Sequence, residues 1–237
     1  MTRSALQDEG FAPGSPVIQI AQVSNWLVDY YSVSKTISNA QLLAHLHFDN
    51  LTSTSQIQNS WSRLAQNTQR AVSAAADEVR AAPNPAERYR RMVYLAVLIG
   101  ASLHPVQDFY SHSNWVELYP MQGGVYGTRT WFDTPAPSTL LRSGLVGPRN
   151  DLYPTRDSTR DHGGYKGGMN RDSYSRPRWP QAYVYAYSGS RQWLRAIRQW
   201  VEQVDPAIWR ELVALRLNSA DATALARDLR ASYLLSL

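Results

Sequence analysis

The sequence predicts an all-α domain. Three observations carry that prediction. Apolar residues recur at helical spacing in most stretches outside Pro120–Pro180. Val93–Ala101 (VYLAVLIGA) is apolar on nearly every side and reads as a buried helix. Just beyond it, His104, Asp108 and His112 recur every fourth residue, a spacing that helices produce.

Met1–Pro16 is rich in Gly, Pro and Ser and is expected to be a flexible lead, leaving 17–237 as one helical domain. In Ile18–Val33 the apolar set Ile18, Ile20, Val23, Trp26, Leu27 and Tyr30 fits a helical period better than a period of two. Ala40–Asn50 carries His45, His47 and Asp49 in alternation, which in extended backbone would point all three one way. Trp61–Arg80 reads as an amphipathic helix, with Asn59 or Ser60 as its cap and Pro83-Asn84-Pro85 ending it. The central helix should run from Arg88 to about Trp115. It contains Pro105, whose ring clashes with the carbonyl of Ala101 and predicts a kink.

Pro120–Pro180 holds most of the Gly and Pro and lacks apolar periodicity. That length is unusual for a plain connection and predicts a loop-rich insertion acting as a lid or substrate wall, with short β-hairpins near Tyr126–Phe132. Helices follow over Tyr183–Val201, Ala207–Leu217 and Ala220–Leu235, the last capped by Ser219. No internal repeat is present.

The chain has 237 residues and 43% hydrophobic content, enough for one domain with a sizeable core. No run of about 18 apolar residues predicts a membrane span. The first residues lack the apolar segment of a secretory signal, so the expectation is a cytoplasmic protein or one exported by another route. With no cysteine, any metal must be held by His and carboxylates, as in open rather than purely structural sites. A formal charge of +5 and a pI near 9.5 favour anionic partners.

His104, Asp108 and His112 climb one helical face, but the two histidines would lie roughly 12 Å apart along the axis. One ion with bonds of about 2 Å cannot bind both. Asp108 between them has two oxygens, so the spacing predicts a multinuclear site with Asp108 as a bridge. Burying His, Asp and His together costs several kcal/mol without a compensating cation. All five histidines fall in three patches with Asp49, Asp108, Glu117 and Asp161 nearby. On a straight helix Glu117 lies about 180° from Asp108, so it joins them only if the helix ends after His112.

The stretch LHPVQDFYSHSNWVEL (Leu103–Leu118), with HFDN at His47–Asn50 and HGG…GMNRD at His162–Asp172, resembles the signature of Het-C proteins. These look like distant kin of the zinc-dependent phospholipase C and single-strand zinc nuclease fold. The resemblance implies two or three zinc ions held by His47, Asp49, His104, Asp108, His112, Glu117 and His162. It implies Asp49 and Asp108 as catalytic carboxylates. Lys166 and Arg171 are candidate contacts for substrate phosphate. The function expected from it is a phospholipase C-type hydrolase of phospholipid headgroups, touching membranes peripherally and delivered as an antibacterial or cytotoxic effector. Two alternatives stay open: a zinc nuclease acting on nucleic acid, and a metal-stabilised interaction module without turnover.

Overall fold

The computed structural model describes residues 1–33, 44–121, 128–145 and 169–216. Among them are seven α-helices: α1 (Thr2–Asp8), α2 (Pro16–Val33), α3 (Thr54–Arg80), α4 (Pro85–His112), α5 (Trp115–Leu118), α6 (Trp179–Val204) and α7 (Pro206–Ala214). Short 3-10 turns lie at Ala44–Leu46 and Trp131–Asp133. No strand occurs among the described residues, only an isolated bridge between Ser113 and Ser143. The protein is all-α, as its periodicity predicts.

The chain divides into two compact units, each assembled from separate stretches of sequence. The first comprises Met1–Leu46, Arg63–His104 and Ser190–Leu237; the second comprises His47–Ser62 and Pro105–Gly189.

In the first unit the N-terminal lead is not a loose tail. Helix α1 buries Ala5 and Leu6 completely, and Phe11 meets Trp209 edge-on at 5.6 Å. Glu9 anchors the same segment by accepting from Arg191 and Arg195. Those few apolar side chains are too widely spaced to announce a helix, yet they suffice to pack one. Gly100 of α4 sits against Ala21 and Ser24 of α2, a separation that leaves no room for a side chain. Trp193, 1% exposed, donates its Nε1–H to Ser102 at 3.1 Å.

Helix α3 begins seven residues before Trp61, at Thr54. Ser53 Oγ accepts from the Gln56 amide at 3.3 Å, and Gln56 Oε1 accepts from the Thr52 amide at 2.7 Å. That reciprocal arrangement is close to a capping box and supplies acceptors for N–H groups the first turn cannot pair. Helix α4 continues through Pro105 and stops at His112, short of Trp115. It has the length and apolarity to cross a membrane, but 89% of its apolar window is buried inside the protein. It is a core helix.

The second unit is organised by aromatic rings. Trp61 stacks on Trp131 at 5.5 Å and 11°, and Phe109 meets Phe48, Trp61, Trp115 and Trp131 edge-on. Trp115, fully buried, donates its indole N–H to the Arg129 carbonyl at 3.2 Å. Of the expected hairpins near Tyr126–Phe132, residues 126 and 127 lie outside the described residues, and Trp131–Asp133 forms a 3-10 turn instead. That turn is closed by reciprocal bonds between Thr130 and Asp133. The helix expected over Ala220–Leu235 also lies outside the described residues.

Candidate metal centre

Two segments of the second unit meet at the C-terminal end of helix α4. One is the turn His47–Asn50; the other is the last two turns of α4, Pro105–His112. The first is not extended, as alternation suggested. Phe48 and Asn50 adopt left-handed backbone, with φ of 52° and 59°. Phe48 pays for this uncommon conformation by burying its ring among Trp61 and Phe109. His47 and Asp49, on either side of it, both reach the end of α4.

Residues 140–144 hold the two segments together. The Gly144 amide donates to the His112 carbonyl at 2.8 Å, and the Asn50 amide donates to the Gly144 carbonyl at 2.9 Å. The Ser143 amide donates to Leu51 and receives from the Leu51 amide through its hydroxyl. Asn114 closes the same strap, since its side chain donates to Leu140 and accepts from the Arg142 amide. The His112 carbonyl, which α4 leaves unpaired at its end, therefore finds its partner in this loop.

At the centre is His112, 4% exposed. Its Nδ1 lies 3.2 Å from Asp49 Oδ1, 3.8 Å from Asp108 Oδ2 and 3.2 Å from the His47 carbonyl. Its Nε2 lies 3.0 Å from Asp172 Oδ2. His47 Nδ1 lies 2.9 Å from Asp108 Oδ2. Burial by itself would push the His112 pKa down. The carboxylates of Asp172, Asp108 and Asp49 oppose that and hold it well above the usual histidine value.

The donor set suits a cation. Ligand atoms of Asp108, His112 and Asp172 lie within 4.8 Å of one another. Four ligands about 2.1 Å from one ion sit roughly 3.4 Å apart, so a small contraction would bring these three into coordination. Three carboxylates converge on one buried imidazole, leaving an excess of negative charge that water reaches poorly at Asp49 and Asp108, whose side chains are 12% and 10% exposed. Mixed imidazole and carboxylate ligands match zinc and its first-row neighbours.

The other expected site residues are distributed differently. His104 belongs to the first unit, where its Nε2 lies 3.4 Å from Asp29 Oδ1. Glu117 accepts from Arg171 at 2.5 Å and lies 3.5 Å from Arg178. Arg171, expected to contact substrate phosphate, is 4% exposed, and its guanidinium is bonded to backbone carbonyls and Glu117. That reading is corrected: the charge is engaged inside the protein. His162 and Lys166 lie outside the described residues.

Sequence reasoning missed Asp172 and Asp29 as partners of the histidines. Asp172 carries no periodic signal, although it directly follows Arg171. Asp29 did leave a trace: it is the lone charged residue of α2.

Residues 22–123 match the family described as the VWA7 N-terminal domain. Mouse von Willebrand factor A domain-containing protein 7 is 36% identical over a match covering 32% of this chain, and the human protein 33% identical over the same share. In both cases the match spans 12% of the relative's length. No solved structure matches. The family match covers the Leu103–Leu118 stretch that carries the Het-C resemblance, and the curated relatives the chain resembles are VWA7 proteins. The Het-C assignment is therefore corrected. With it fall the phospholipase C-type hydrolase, the nuclease alternative and the effector reading. The segment is similar to the N-terminal domain of VWA7 proteins.

Proposed function

We propose that the second unit is a divalent-metal-binding module, taking a zinc-type ion through Asp108, His112 and Asp172. Asp49, at the other ring nitrogen of His112, orients the imidazole rather than joining the ion. His47 orients Asp108 by hydrogen bonding to its carboxylate, the role that partners of metal ligands commonly play. The single observation that carries this reading is that ligand atoms of Asp108, His112 and Asp172 gather within 4.8 Å of one another around a buried histidine. A protonated imidazolium offsets one of the carboxylate charges, whereas a divalent ion adds two and replaces hydrogen bonds with coordination. The partial match to VWA7 N-terminal domains supports a shared helical module but names no ligand.

Elemental analysis of the full chain after purification without chelators tests the proposal. Metal near one equivalent per chain, lost in His112→Ala, supports it. Two or three equivalents would support the larger count expected from the sequence. A folded wild-type chain that neither retains nor takes up zinc, cobalt or manganese overturns it.

A further inference from the structure

Asp172 is the most exposed of the ligands. It sits in a non-helical stretch, its side chain is 50% exposed, and it reaches His112 from sixty positions away in sequence. Something must fix its backbone if the carboxylate is to stay 3.0 Å from Nε2. Its own amide is held by Asn170 Oδ1 at 3.1 Å, a bond within the same turn that secures nothing to α4.

The preceding residue makes the connection. Arg171 Nη1 donates toward Ser111 O at 3.3 Å and Ser113 O at 2.8 Å, the carbonyls on either side of His112. The same nitrogen lies 3.2 Å from Met169 O, and Nη2 donates to Glu117 at 2.5 Å. One guanidinium thus joins the end of α4, helix α5 and the segment that carries Asp172. A cation is favoured there, because the last carbonyls of a helix carry partial negative charge. Burial lowers the Arg171 pKa and the Glu117 carboxylate opposes that shift.

We propose that Arg171 is the positioning residue that brings Asp172 to the metal centre, with Glu117 fixing the guanidinium in turn. The inference rests on the metal-binding reading above and deepens it. Arg171 does not touch the ion; it acts through Asp172. The geometry calls for arginine, since a planar fork reaches carbonyls on one nitrogen and a carboxylate on the other, which a single ammonium does poorly.

The test measures Zn²⁺ affinity of the full chain by competition with a chromophoric chelator, and the visible spectrum of the Co²⁺ form. Arg171→Met is expected to weaken Zn²⁺ by roughly 10–100-fold and to shift the Co²⁺ spectrum toward that of Asp172→Asn. Arg171→Lys should fall between. Adding Arg171→Met to Asp172→Asn should cost little more, because the two act as one unit. Should Arg171→Met fail to fold, Glu117→Gln carries the same cycle, as its side chain is 36% exposed and the change leaves no cavity. Additive losses, or unchanged affinity and spectrum in a folded Arg171 variant, overturn the inference while the metal site stands. A wild-type chain that binds neither Zn²⁺ nor Co²⁺ overturns the metal site itself.

Discussion

His47 Nδ1 lies 2.9 Å from Asp108 Oδ2, which ties the left-handed turn at Phe48 to the last turn of the buried helix α4. The bond matters because Asp108 faces His112 with the same oxygen, at 3.8 Å. Asp108→Asn keeps an oxygen for His47 and nearly the same volume, but removes one of three converging negative charges. The expected outcome is Zn²⁺ affinity lower by more than about 100-fold, beyond the usual range for a supporting residue, with helicity by circular dichroism unchanged. A loss below tenfold would place Asp108 outside the coordination sphere.

Gly100 offers a test of the first unit alone. A methyl group there would run into the Ala21 backbone as well as the Ser24 hydroxyl. The hydroxyl could turn away; the backbone cannot. Asn25 Nδ2 also donates to the Gly100 carbonyl at 3.3 Å, so the helices cannot separate without losing that bond. Overpacking typically costs about 1–3 kcal/mol, and the backbone clash puts Gly100→Ala at or above the upper end. Urea denaturation reads the loss. A cost under about 1 kcal/mol would mean that α2 and α4 have slack at this crossing.

The sequence disclosed what is local and hid what is long-range. Helices α2, α3 and α6 are legible in a 3.6-residue apolar period, and α4 in a run that is apolar on nearly every side. The start of α3 was misplaced because residues 54–60 bury only Ile57, so periodicity began at Trp61. The capping signal, Ser53 with Gln56 three positions on, was nonetheless present. Asp108 and His112 were legible as neighbours one turn apart. His104, at the same spacing, pairs with Asp29 of another helix in the first unit, a partnership that spacing cannot reveal. Asp172 depends on contacts across sixty residues, and no pattern along the chain encodes them. Met1–Pro16 looked mobile because Leu6 and Phe11 are isolated in sequence, whereas packing decides their fate.

Tyr110 reports on the aromatic centre of the second unit. Its ring is fully buried, and its hydroxyl oxygen accepts from the Trp131 amide at 3.0 Å. Burial raises its pKa, keeping the hydroxyl neutral throughout the working range. Tyr110→Phe leaves the Trp131 N–H without that acceptor, and a buried polar group so orphaned costs about 1–3 kcal/mol. Denaturation followed by tryptophan fluorescence should show that loss, together with a changed native signal from Trp131 stacked on Trp61. A neutral substitution would mean that water replaces the hydroxyl.

Metal binding should also appear as stability. An ion that binds the folded chain alone stabilises it by about 2.7 kcal/mol at a free concentration 100 times its Kd. For a protein of this size each kcal/mol moves Tm by roughly 2–4 °C, so saturating Zn²⁺ should raise Tm by about 5–10 °C over the chelated protein. Asp172→Asn should abolish most of that rise, because it removes the carboxylate on the Nε2 side of His112. The chelated forms need not follow the same order. Without an ion, three carboxylates crowd one imidazole, so losing Asp172 relieves repulsion while removing a hydrogen-bonded partner of His112. The chelated Asp172→Asn chain should therefore melt within a few degrees of the chelated wild type. A zinc-induced rise of equal size in both proteins would show that the stabilising ion sits elsewhere.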